Sequence, residues 1–172
     1  MNHDLKDRSV SNKRSKYLKL IFIAGLVILI DQVTKFAVEH YLPLYHTVEI
    51  VPGFFNLTHL LNPGGAFGLM ANQGQVIRAL LFIVVSLLAA GMVLYFYLKT
   101  PETHQMLLTG LAMILGGAAG NLIDRLRMGK VVDFLDFYIK NLHWPAFNVA
   151  DSAISIGMTI FALHILSGRL PE

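Results

Sequence analysis

The sequence predicts an all-α membrane protein of four transmembrane helices, with a few short strands lying against the membrane surface. Three observations carry that reading. Of the 172 residues, 55% are hydrophobic and only 15% are charged, with a mean hydropathy of +0.57; a soluble domain carries about a quarter charged residues. Four apolar stretches, near 19–39, 76–98, 105–125 and 149–168, are each long enough for a hydrocarbon core of about 30 Å, which takes roughly 20 helical residues. Basic residues crowd ahead of the first stretch, where Lys6, Arg8, Lys13, Arg14, Lys16 and Lys19 sit among Ser and Asn.

Composition also excludes several classes of function. The chain has no cysteine, which removes disulfides, thiolate nucleophiles, iron–sulfur clusters and cysteine zinc sites. The net charge of +3 is concentrated in the first nineteen residues. That distribution suits a membrane anchor flank and not a nucleic-acid surface, which needs basic residues spread over a folded face.

Taken in order, residues 1–18 read as a basic cytoplasmic tail, disordered, and 19–168 as a single membrane-embedded domain. The first apolar run is longer than the core of a signal peptide and lacks a small-residue cleavage site, so it is expected to be retained. His40 to Gln75 forms a long connection containing Pro43, Pro52 and Pro63 with Tyr41, Tyr45, Phe54, Phe55 and Phe67. A loop of that length implies structure or a task, and HTVEIV alternates as a strand does. Spans two and three are joined by the tight KTPETH turn. Between spans three and four, VVDFLDFYI followed by Trp144 and Pro145 suggests an interfacial element with aromatic anchors.

Orientation follows from Lys and Arg. With the N-terminus inside, the inner segments hold the basic tail, Lys99 and Arg169, and the first outer loop has no Lys or Arg before Arg78. The second outer loop disagrees, carrying Arg125, Arg127, Lys130 and Lys140. The first helix dominates topology, so those cations are expected to have partners or to face lipid headgroups.

Depth then picks out the polar residues. At about 1.5 Å per residue, Asp31 lies about 18 Å into the first span, past the midplane, with Lys35 one turn further. Asp124 ends the outward third span and Asp151 begins the inward fourth. Charges at such depths are costly, about 2.5 kcal/mol upward, and mark functional paths or sites. Asn121 and Asn148 each stand three residues before one of these acids, on the same helical face, although Asn148 can also precede its helix. GGAAG at 116–120 allows close helix approach. Two carboxylates held together in a low dielectric share one proton, as acid–base hydrolysis of a peptide bond requires.

Plainer readings stand beside this one. Asp151 suits a helix cap, Asp31 and Lys35 suit mutual neutralisation at i, i+4, and Asp133 and Asp136 suit solvent or headgroups. His40, His46, His59, His104, His143 and His164 show no metal-ligand spacing. By position alone a catalytic pair and an ion-coupled transporter both remain open. A transporter predicts acids through the full membrane depth, and none lies in the inner half of spans two to four. A non-enzymatic assembly factor predicts aspartates that tolerate Asn.

The motifs decide between them by resemblance. DQVTK at 31–35, NPGGAFG at 62–68, GNLIDRLRMGKVVDF at 120–134 and FNVADS at 147–152 resemble, in order and spacing, the four motifs of bacterial lipoprotein signal peptidase (signal peptidase II), an intramembrane aspartic peptidase. Alanine is commoner in that family where Gly65 stands. The resemblance implies that Asp124 and Asp151 are the catalytic aspartates, supported by Asn121 and Asn148, and that Asn62 and Arg125 contact substrate or inhibitor backbone. It implies a stabilising role for Asp31 and Lys35. It further implies a small extramembrane β-cradle from the first outer loop, with 126–146 as an interfacial element over the site. The implied substrates are diacylglyceryl-prolipoproteins cut before the modified cysteine, and the implied inhibitors are of the globomycin type. The expected setting is the bacterial inner membrane, multi-pass, both termini cytoplasmic and the site near the outer face. Water is the nucleophile, so neither metal nor cofactor is needed, and a dyad within one chain is expected to work as a monomer in contact with membrane lipid.

Overall fold

The computed structural model describes residues 2–64 and 74–168; Gly65 to Gly68, the second half of the NPGGAFG segment, lie outside them. Four helices form the body: α1 (Asn2–Tyr41), α2 (Gln75–Lys99), α3 (Gln105–Met128) and α4 (Val149–Leu166). Each contains a run long and apolar enough to cross a membrane.

Helix α1 is already helical at Asn2, where the sequence suggested a disordered tail. No Gly or Pro interrupts residues 2–24, and extending an existing helix adds one hydrogen bond for each residue fixed, whereas starting one is costly. The basic residues near the end of this segment clasp the turn between α2 and α3. Lys16 Nζ donates to the carbonyls of Leu98 (2.9 Å) and Thr100 (2.7 Å), which end α2 and have no intrahelical partner. Lys19 Nζ donates to the Gln105 carbonyl at 2.8 Å, and the fully buried Tyr97 returns a hydroxyl bond to Lys16 O at 2.8 Å.

Helix α3 is the central member, packed against the other three. Its small residues make this possible. A Cβ on Gly117 would lie 2.4 Å from the Ala150 carbonyl of α4, and one on Gly116 would lie 2.9 Å from Ala24 O of α1. Near the opposite end of the α3–α4 contact, a Cβ on Gly157 would meet Gly110 O at 2.5 Å. Without a hydrophobic drive between helices in lipid, such backbone approach is a main source of cohesion. Helix α2 is peripheral and turns Leu80, Val84, Leu88 and Met92 outward. Gly129, at φ +71, ends α3 with its N–H on Arg125 O, a left-handed cap that sends the chain into the next strand.

The extramembrane part is a four-stranded antiparallel sheet, β1 (Thr47–Val51), β2 (Phe55–Asn62), β3 (Val131–Ile139) and β4 (Leu142–His143), in the order β1-β2-β3-β4. The first outer loop supplies β1 and β2, as expected for the cradle, and the interfacial segment between α3 and α4 extends the same sheet with β3 and β4. β2 pairs with β3 so that Leu60 faces Asp133 and Asn62 faces Val131. Strand alternation turns Val132 and Phe134 toward Val38 and Leu42 at the end of α1, fixing the sheet on the helices. Phe147, just before α4, accepts from the N–H groups of Phe134 and Leu135, tying the start of α4 to β3.

Close packing at Gly117 makes a direct expectation. Gly117→Ala lowers the thermal midpoint in detergent, at a cost of about 1–3 kcal/mol or more for overpacking. Gly25→Ala, with nothing within 4 Å of the added Cβ, leaves stability unchanged or slightly raised.

Candidate active site

Lys35 sits on α1 one turn beyond Asp31, and both are fully buried. Its ammonium has three donors, and three acceptors meet them: Asp31 Oδ2 at 2.9 Å, Asp124 Oδ2 at 2.8 Å and Asn121 Oδ1 at 2.9 Å. The pairing expected between Asp31 and Lys35 is present, but Asp124 is part of it. Asp31 Oδ1 accepts the N–H of Ala150 at 2.9 Å, one of the free donors of the first turn of α4. A Cβ on Gly120 would fall 2.5 Å from Asp31 Oδ2, so only glycine leaves room for the carboxylate between α1 and α3.

Asp124 has no free acceptor edge in this arrangement. Its Oδ1 accepts from Gln32 Nε2 at 3.0 Å, and its Oδ2 accepts from Lys35 and from the Val132 N–H at 3.2 Å. Gln32 also donates to Asp31 Oδ2 and Gly120 O. Asp124 is fully buried. The sequence suggested that Asp124 and Asp151 form a carboxylate pair; in the structure Asp124 is linked to the Asp151 carboxyl through Lys35 and Asn121. An ammonium, an amide and a backbone N–H thus all converge on this one carboxyl group.

Asp151 stands in the first turn of α4 and is half-buried. Asn148, and not Asp151, caps that helix: its Oδ1 accepts the Asp151 N–H at 2.9 Å. Asn121 Nδ2 donates to Asp151 Oδ1 at 2.7 Å, while Asn121 Oδ1 accepts from Lys35. Each amide was expected to orient the acid three residues after it; instead Asn121 bonds the Asp151 carboxyl and Asn148 donates to Asp133 while it caps the helix of Asp151.

Asp133 was read from the sequence as solvated, and the structure buries it. Asn148 Nδ2 donates to its Oδ1 at 2.8 Å and Asn62 Nδ2 to its Oδ2 at 3.0 Å. Asn62 in turn accepts the Gly64 N–H at 2.9 Å, so the described start of the NPGGAFG segment is tied to this carboxyl. Burial raises the Asp133 carboxyl to about 6 against the two amide bonds, and the charge of Asp151 pushes in the same direction as burial. The signal available in the sequence was the strand itself: in VVDFLDFYI the odd positions share a face, and that face meets the α4 start.

Asp136, also read as solvated, is buried with Asn56 Nδ2 and His143 Nδ1 on its carboxylate, both at 2.9 Å. Of the cations that disagreed with the topology, Arg127 pairs with Glu39 of α1. Arg125 donates to Asn121 O at 3.3 Å, lies 5.8 Å from the Phe82 ring, and is within electrostatic reach of Asp151, Asp124 and Asp133. No group of three or more metal-ligating side chains occurs among the described residues.

The site thus joins two carboxyls from different elements, a nearby guanidinium and two oriented amides, at the boundary between helices and sheet. Comparison with known proteins agrees with the motifs. Residues 23–167 match the family model described as Signal peptidase (SPase) II. The chain is 50% identical over 155 residues to a lipoprotein signal peptidase of Desulforapulum autotrophicum, covering 90% of this chain and 96% of that one. It is 46% identical over 146 residues to one of Syntrophus aciditrophicus, covering 85% and 91%. Two solved structures, each described as a bacterial membrane enzyme, superpose with TM-scores of 0.77 and 0.76 at 30% and 31% identity, covering 87% and 86% of this chain and 88% and 92% of theirs.

Two stability measurements separate the Lys35 cluster from Asp133. Lys35→Met leaves two buried carboxylates uncompensated and costs about 3–5 kcal/mol; adding Asp124→Asn to it recovers part of that loss in thermal unfolding. Asp133 acts in the opposite sense. Its folded value of about 6 exceeds the unfolded one, so the stability tied to its proton is present at acid pH and lost as pH rises through 6, by about 3 kcal/mol. Asp133→Asn is therefore expected to flatten the pH dependence between about pH 4 and 7 and to raise the thermal midpoint at pH 8.

Proposed function

The chain belongs to the Signal peptidase (SPase) II family, and from that premise we propose that it removes signal peptides from prolipoproteins by cutting before a diacylglyceryl-modified cysteine, with Asp133 and Asp151 as the carboxyls that activate water. The observation that carries this choice is Asp133 itself: buried, held near about 6, and within electrostatic reach of Asp151. The motifs placed Asp124 in that role, and its ion pair with Lys35 argues against it.

In this reading the pair shares one proton. The carboxylate member takes a proton from water as the oxygen attacks the scissile carbonyl carbon, and the carboxyl member gives its proton to the carbonyl oxygen. Collapse of the tetrahedral intermediate breaks the C–N bond. The leaving amine of the modified cysteine takes a proton from the carboxyl member while one hydroxyl of the intermediate gives its proton to the carboxylate member, so the pair returns to its singly protonated state. Asn121 and Asn148 orient the two carboxyls through amide bonds that do not titrate, and Arg125 is available to a substrate carbonyl. Asn62, bonded to Asp133, links the reactive carboxyl to the loop expected to contact substrate backbone.

A lipid-anchored cysteine lies at the membrane interface, which matches a site where helices meet the sheet. The basic residues on the opposite end of α1, at the α2–α3 turn, support cytoplasmic termini and an outward-facing site in the inner membrane. The same carboxyls are where a globomycin-type peptide would compete with substrate, and one chain supplies every group named, consistent with a monomer.

Cleavage of a purified diacylglyceryl-prolipoprotein in detergent tests the assignment. Asp133→Asn and Asp151→Asn fold and lose at least about a thousand-fold in rate, as expected for loss of acid–base groups supported by the rest of a site. Asp124→Asn lowers the thermal midpoint and the folded fraction, and its remaining activity keeps the wild-type pH profile. An Asp124→Asn protein as stable as wild type but inert would return the dyad to Asp124 and Asp151.

A further inference from the structure

On the sheet side of Asp133 lies a hollow of about 310 Å³ lined by Tyr45, Leu60, Leu61, Asn62, Asp133, Pro145 and Ala146. That volume falls at the small end of ligand pockets, which run from about 300 to 1,000 Å³. Apart from Asp133 no lining side chain is charged, and most of the others are apolar. The lining comes from β2, from Asp133 of β3, from Tyr45 ahead of β1 and from the segment just before α4.

Tyr45 stands at its rim in a conformation that needs explaining. It has φ +64, a left-handed geometry that costs a non-glycine residue about 1–2 kcal/mol, and it is two-thirds exposed. Its backbone is clamped: Tyr45 N–H donates to His59 O at 2.8 Å, His59 N–H donates to His46 O at 3.0 Å, and the buried His59 ring bonds Leu42 O through Nδ1 at 2.8 Å. Strain held this firmly at the mouth of a reactive carboxyl points to a task for the side chain.

We propose that this hollow is the subsite for uncharged residues of the peptide chain that follows the modified cysteine, and that Tyr45 is the specificity residue that packs against them. The proposal rests on the reading of Asp133 as a reactive carboxyl. The lipid-bound and signal-peptide parts of the substrate are apolar and belong on the helix side. The chain on the leaving-amine side is the part that must pass over Asp133 toward the sheet. An apolar ring and two leucines beside a prolyl wall suit uncharged side chains there. Binding energy from a part of the substrate remote from the reacting bond can then position that bond.

Two synthetic substrates carrying the same signal peptide and diacylglyceryl-cysteine test this, one ending at the cysteine as an amide and one continuing for several uncharged residues. Wild-type enzyme in detergent should cut the extended substrate with a lower KM. Tyr45→Gly suits the positive φ and removes the ring; it should raise KM for the extended substrate by about ten-fold, the scale of a lost apolar pocket contact, and leave the truncated substrate unchanged. Tyr45→Phe should behave as wild type. Equal KM values for the two substrates in wild type, or a Tyr45→Gly effect that is absent or the same on both, overturns the subsite. If wild type cuts neither substrate, the proposed function falls and takes the subsite with it.

Discussion

The polar contacts that join α1, α3 and α4 in this membrane protein are arranged around one buried ammonium. Lys35 is surrounded by two carboxylates and an amide oxygen, with each of its three donors used. An unpaired charge at that depth would cost several kcal/mol, so the carboxylates of α1 and α3 have to converge on it. Once they do, their remaining oxygens reach out to other elements: Asp31 to the first turn of α4, and Asp124 to the backbone of β3. The ion cluster therefore fixes not only two helices but the origin of the strand and helix that carry Asp133 and Asp151.

Small residues are the condition for that convergence. Gly120 leaves space for the Asp31 carboxylate, and Gly117 lets α3 approach the Ala150 carbonyl. A methyl group at either place would separate α3 from its neighbours and lengthen the polar contacts together. Packing and electrostatics are thus not independent contributions here. The dry, close interface strengthens each hydrogen bond, and those bonds in turn satisfy the Asp31 and Asp124 carboxylates and the Ala150 N–H at the start of α4.

The three acids at the centre differ through their surroundings and not through their chemistry. Asp124 faces an ammonium, with which it forms an ion pair. Asp133 is raised to about 6 by burial and by the charge of another acid, against the hydrogen bonds of two neutral amides. Asp151 lies on the helix whose cap, Asn148, also bonds Asp133. One asparagine therefore registers the two carboxyls against each other, and a neutral amide does so without fixing either protonation state. Such divergence between like residues is how a site obtains both an acid and a base near neutral pH.

Composition, the four apolar runs and the order of the motifs determined the fold class and the family, because the length and polarity needed to cross a membrane are properties of the chain alone. The Asp31–Lys35 pair was legible for a related reason: helical spacing places i and i+4 on one face. The same spacing gave the wrong partners for the amides, since Asn121 reaches Asp151 and Asn148 reaches Asp133 across elements. Three features needed the tertiary structure. The strands of the sheet come from both outer loops, and pairing between segments some 70 residues apart leaves no local trace. Asp133 looked like the solvated side of an amphipathic strand, since alternation marks two faces but does not say what covers the second. Asp124 looked like the partner of Asp151, since counting along helices gives depth and not azimuth; only packing turned it toward Lys35.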